Sequence, residues 1–232
     1  MKTKNFVKSA LLVAAVVVSM VAHADPISGL NNTGTGPGPQ DSHYTFTNTA
    51  STPGNLAPGS GWISQDNVYP LNGAWLLNTS TSKWITPSSS QADFPHDTTS
   101  TFGSSTSGIY TWHTTFDLTG FDAATASFSG LFAADNSAKA FLNGNLIGTS
   151  SSYSSFANFA STPGYFVDGL NSIDFVVIND LYDQASNPTG LHVQFATSSV
   201  TAVPEPETYA MLMAGLGLVG FMSRRKSAKK TA

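Results

Sequence analysis

The chain of 232 residues has no cysteine. Thiol catalysis, thiolate metal sites and redox switching are therefore excluded, and any stable fold must rest on its core alone. Charge is also scarce. Between residues 25 and 203 there is no Glu and no Arg, and two lysines, Lys83 and Lys139, stand against twelve Asp, a formal charge of −10. The chain-wide value of −4 conceals this, because the other basic residues cluster at the two ends. An acidic body without Arg is a poor partner for nucleic acid, whose binding depends on neutralising phosphates. It also lacks the planar fork that captures phosphate or carboxylate bidentately. Neutral ligands or cations suit it better. No segment of the body shows a helical apolar period.

The ends read as targeting segments rather than fold. Lys2, Lys4 and Lys8 precede an uncharged apolar run from Ala10 to Val21, and Ala22-His23-Ala24 follows. Basic start, apolar middle and Ala-x-Ala end make residues 1–24 a signal peptide, with signal peptidase cutting between Ala24 and Asp25. At the other end, Pro204-Glu205-Pro206 precedes an apolar run from Tyr209 to Met222 and the cluster Arg224-Arg225-Lys226. This run of 14 residues is about 21 Å long as a helix, against a hydrocarbon core of about 30 Å. The basic cluster belongs on the cytoplasmic side, which leaves the body outside.

The C-terminal arrangement resembles the PEP-CTERM sorting tail of Gram-negative bacteria. The resemblance covers residues 203–230, with a short transmembrane helix expected at about 208–223. It implies recognition by an exosortase through Pro204, Glu205 and Pro206, and frequent co-occurrence with extracellular polysaccharide production. The protein is then exported across the inner membrane, held there transiently, and passed to the cell surface or extracellular matrix.

Between the ends the pattern is all-β. Residues 25–60 are rich in Gly, Pro, Ser and Thr and read as a flexible lead with one short strand at Tyr44–Thr47. Residues 61–200 read as the body. Ala74–Leu77 and Lys83–Thr86 are predicted short strands, and residues 87–107 a long loop. Tyr110, Trp112, Phe116 and Leu118 alternate with polar residues, the mark of a half-buried strand. Strands are also predicted over Ala124–Phe132, Tyr165–Val167, Ser172–Ile178 and Leu191–Phe195. Asn143-Gly144 between Ala138–Leu142 and Leu146-Ile147 predicts a hairpin, since both residues tolerate positive φ. The expected fold is a β-sandwich or jelly roll with one short C-terminal hydrophobic helix. Residues 108–196 loosely resemble the galactose-binding-like jelly roll of carbohydrate-binding modules, through the Tyr110–Leu118 strand, Phe132 to Asn136, Phe141 to Gly144, Gly169-Leu170-Asn171 and Gly190-Leu191.

That resemblance points to a neutral extracellular polysaccharide as partner. Sugar sites use exposed aromatic faces, and Trp62, Trp75, Trp84, Tyr153 and Tyr182 lie near loop-rich segments, although packing is the commoner role of such residues. No cofactor is required. A structural calcium is the candidate metal, with Asp135, Asn136, Asp180 and Asp183 near strand ends, but no contiguous Asp-x-Asp-x-Asp-Gly loop is present and solvated loop carboxylates are the preferred reading. His113 and His192 fall on the polar phase of their strands and read as surface histidines. There is no His-Glu-x-x-His and no Gly-x-Ser-x-Gly, so an enzyme is not expected. A purely structural matrix protein and a glycan hydrolase are the alternatives. Mature protein is expected to begin at Asp25. N-terminal sequencing or intact mass checks this, and a retained Met1 contradicts it.

Overall fold

A computed structural model describes residues 24–48, 59–89, 107–180, 187–204 and 206–228. The expected signal peptide up to His23, most of the predicted loop over residues 87–107, Tyr182 and Asp183 lie outside them. Among the described residues are eleven strands and one helix: β1 (Ala24–Asp25), β2 (Gln40–Asn48), β3 (Gly59–Ile63), β4 (Ile85–Thr86), β5 (Gly108–Asp117), β6 (Phe121–Asp135), β7 (Ser137–Leu142), β8 (Asn145–Ser150), β9 (Ala157–Ala160), β10 (Leu170–Asn179), β11 (Gly190–Ala202) and α1 (Pro206–Ala228).

All pairings are antiparallel, in the order β1-β11-β4-β3-β2-β5-β10-β7-β8-β9-β6. A further ladder joins β6 back to β11, so the sheet closes on itself. Strands that share no ladder meet across the interior. Phe132 on β6 lies 5.6 Å from Phe175 on β10, and Phe116 on β5 lies 6.2 Å from Phe128 on β6. The body is thus a closed all-β sandwich, as its period-two patterning predicts. The alternating strand β5 buries Tyr110, Trp112 and Phe116, and Leu118 is buried just past its end. The Asn-Gly hairpin is present, with Asn143 at φ 48° and Gly144 at φ 81°, as a primed turn requires.

Three predicted elements differ. The lead is not loose over residues 24–48. Thr33 donates its amide to Val193 O (3.1 Å) and accepts from Val193 N at Oγ1 (2.9 Å), so it stands in for a strand beside β11. Asp41, fully buried, takes the amides of Gly34 (2.6 Å) and His43 (2.8 Å). Tyr44 is buried too and donates to Asn31 O, and burial holds its hydroxyl in the neutral form by raising its pKa. Side chains thus supply the pairing that a Gly- and Pro-rich backbone cannot supply alone. The sheet accordingly begins well before position 61. Second, Tyr165–Val167 is not a strand. Its backbone is claimed by amide side chains: Val167 N donates to Asn171 Oδ1 (2.9 Å), and Asn143 Nδ2 reaches Tyr165 O (2.8 Å). Third, Ala74–Leu77 is a turn and coil, while β8 extends to Ser150 and β9 follows where no strand was predicted.

The helix α1 follows β11 almost at once. Its apolar side chains, among them Met211, Leu212, Leu216 and Phe221, are exposed rather than packed on the body. Among the described residues no helix is long and apolar enough to cross a membrane, and polar and basic residues flank the short apolar run.

Packing inside the sandwich leaves no spare room at Gly130. A Cβ there would lie 2.5 Å from Phe159 Cζ and 2.7 Å from Gln194 O. Gly130→Ala is expected to destabilise the body by about 1–3 kcal/mol, measured by urea denaturation. An unchanged midpoint contradicts this packing.

Candidate functional site

The ends of β6 and β11 bury both faces. Phe132 to Asp135 and Gly190 to Val193 are all buried, and they pair directly, Asp135 with Gly190 and Phe132 with Val193. One face belongs to the main core. The other is covered by the segment 64–84, which contributes Leu71, Trp75 and Trp84 to a second apolar cluster with Ala133, Leu76 and Phe156.

That covering segment is built on polar side chains rather than on a ladder. Asn78 is its hinge: Oδ1 accepts from Trp84 N (2.8 Å), and Nδ2 donates to Asp66 Oδ1 (2.8 Å). Trp84 Nε1 donates to Leu76 O at 2.7 Å, and Leu76 N donates to Tyr153 O at 2.8 Å. Two loops distant in sequence are thereby locked edge to edge. Between them lies an open groove of about 590 Å³, lined by Asn67, Leu71, Asn72, Trp75, Leu76, Leu77 and Ser154 together with Gly73 and Ala74. No lining side chain is charged.

The sequence-predicted aromatic residues part company here. Trp84 is wholly buried and Trp75 is 4% exposed, their rings 4.3 Å apart. Neither offers a free face, because the neighbouring ring and Ala133 occupy it. Trp75 touches the groove only as its wall. Trp62 sits half-buried on β3, paired with Thr86, and does not line the groove. Tyr153 is exposed beside it. Tyr182 lies outside the described residues.

Trp75 is held from beneath. Its Nε1 donates to Asp135 Oδ2 at 2.8 Å, and Gly190 is the only residue that fits there, since a Cβ would meet Trp75 Cη2 at 2.9 Å. Burial first, with repulsion from Asp180, pushes the Asp135 carboxyl up to about 7, and the indole hydrogen bond works the other way. Asn136 Oδ1 accepts from Asp180 N at 2.8 Å. Three of the four calcium candidates are therefore neighbours, but Asp135 Oδ2 and Asn136 Oδ1 are already engaged within the fold. Among the described residues no three carboxylates or imidazoles gather into a metal cluster.

His192 is the residue that pattern reasoning misplaces. It is fully buried, not exposed, because the 64–84 segment covers the outer face of β11. Its Nε2 meets Ser82 Oγ at 2.8 Å, its ring lies between a tilted Trp84 (5.4 Å) and an edge-on Phe156 (5.0 Å), and Nδ1 has no hydrogen-bond partner among the described residues. Burial lowers its pKa to about 4. His113 is exposed as predicted, with Nδ1 2.7 Å from Asp174 Oδ1 across the β5–β10 ladder. Asn78, Ser82 and Phe156 carry no local signal that would single them out.

The two buried groups pull stability in opposite directions. Asp135 binds a proton in the fold across the window from its ordinary 3.8 to about 7, so its contribution falls as pH rises through that range. His192 excludes the proton that the unfolded chain takes up below 6.5, so its contribution falls as pH drops towards about 4. Asp135→Asn is expected to stabilise the body at pH 8 by about 1–4 kcal/mol and to have little effect near pH 4, read from urea melts at both values. Equal effects at the two pH values contradict the buried carboxyl.

Residues 202–226 match the family model of the PEP-CTERM protein-sorting motif. A search of curated proteins finds no match. The motif begins at the last residue of β11 and takes in most of α1. The chain carries a PEP-CTERM sorting motif on an all-β body, which implies export, transient anchoring in the membrane and processing by an exosortase.

Proposed function

We propose that this is a non-enzymatic cell-surface or extracellular-matrix protein whose body associates with neutral extracellular polysaccharide in the groove between residues 64–84 and Tyr153-Ser154. The observation that carries this reading is the sorting motif at residues 202–226, joined to a β body whose groove is lined by amide, hydroxyl and apolar groups without a charge. A neutral sugar presents hydroxyls at its edge and C–H groups on its face. Asn67, Asn72 and Ser154 can both donate and accept, and Leu71, Leu77 and the Trp75 wall supply apolar surface. Tyr153, exposed and next in the chain to the lining Ser154, is the candidate aromatic to meet a sugar face. An acidic body repels anionic polymers, which favours the neutral class.

Catalysis is not part of this reading. A glycosidase needs two carboxyl groups flanking the bond, one of them poised as an acid. Asp135 has the raised pKa, but its carboxylate is buried and holds an indole. No cofactor enters either. A structural calcium would compete with the Trp75 indole for Asp135 Oδ2 and with the Asp180 amide for Asn136 Oδ1.

The released mature protein is expected to bind a neutral glycan on a glycan array. Asn72→Ala should weaken binding by about 2–10-fold through loss of a hydrogen bond, with folding unchanged. A well-folded protein that retains no glycan favours a purely structural matrix role, and release of reducing sugar from a matrix glycan refutes the non-enzymatic reading.

A further inference from the structure

There is almost no free chain between the sheet and the tail helix. Ala202 pairs with Phe121 and Thr201 with Asp122, and Val203 then donates to Gly120 O at 2.9 Å. The other edge of the strand is held as well, where Asp25, the expected first residue of the mature chain, pairs with Val200. Val200 itself is buried. The helix begins at Pro206. Only Pro204 and Glu205 lie between, a reach of at most about 7 Å.

Proteases commonly bind their substrates as extended backbone, pairing it as an added strand. On the N-terminal side of the motif the backbone is extended, but its hydrogen bonds are already spent on β6 and β1. Drawing Val200 to Val203 into a cleft would undo the β6 ladder and the Asp25 pairing, and expose Val200. On the C-terminal side the opposite holds. The first four N–H groups of a helix have no partner within it, and Pro206 has no N–H to lose. Helix ends open more readily than the interior of a closed sheet.

We propose that the exosortase cuts on the C-terminal side of Glu205, within the first turn of α1, while β11 stays paired through the reaction. The inference rests on processing at the sorting motif. The C–N bond that breaks lies between Glu205 and Tyr209. Its acyl carbon takes hydroxyl from water, and the departing helix leaves as the amine with the proton. The mature body keeps Pro204 and an intact last strand.

Intact-mass analysis of protein released from exosortase-competent cells reads the new C-terminus directly. The expected C-terminus falls from Glu205 to Thr208. One at Val203 or earlier overturns the proposal while leaving exosortase processing in place. Protein that retains Arg224 and Arg225 overturns both. A second arm uses the absence of native cysteine. The variant T201C/D122C joins β11 to β6 by a disulfide between directly paired residues, formed after export and verified by mobility without reductant. It should be released at the wild-type rate with the crosslink intact. Release that occurs only after reduction shows that β11 must peel away, and overturns the proposal.

Discussion

The last strand, β11, is the constraint on which the rest depends. It pairs with β6 along most of its length and so closes the sheet, removing the edges that an open sheet would present. Its other edge is only briefly covered by true strands, one bridge to β4 and, in the mature chain, the pairing of Asp25 with Val200. The gap is filled by side chains. Thr33 bonds to Val193 in both directions, and Asn32 Oδ1 accepts from Phe195 N at 2.7 Å. Buried donors left unpaired would each cost more than a made bond returns, so these substitutes are needed for closure. The same strand then runs into the sorting motif. Closure of the fold and presentation of the tail are therefore one structural fact.

A body nearly free of long charged side chains must satisfy its polar backbone by other means, and here Asn, Ser and Thr do the work. Asn78 ties the covering segment together, while Asn143 and Asn171 hold the 165–171 loop. Short amides reach nearby backbone without long flexible stems, so little side-chain entropy is lost in the pairing. The consequence for function is a groove whose polar groups are neutral. Asp135 and His192, two buried groups with displaced ionisation, lie behind its wall and under the covering segment rather than in its lining.

The covering segment also explains why two tryptophans change character between sequence and structure. Trp75 and Trp84 sit among Gly, Asn, Ser and Thr, which makes them look exposed. They are instead the apolar underside of a loop that closes over β6 and β11. The contact shields the outer face of the sheet at that end. It converts His192 from a strand's polar residue into a buried one with a neutral ring.

The sorting tail, the β class and the Asn-Gly hairpin were all legible in the chain, because each is encoded locally. A motif, an alternation of period two, or a dipeptide that tolerates positive φ does not depend on distant neighbours. The sorting tail is the clearest case, since its meaning resides in order and composition alone. Tertiary structure alone decided the order of strands, the ordering of the Gly- and Pro-rich lead, and the burial of Trp75, Trp84 and His192. Alternation reports that one face of a strand is apolar. It is silent on whether a remote segment covers the other face, and here that cover, residues 64–84 folded over β6 and β11, makes both the groove and the buried pair behind it.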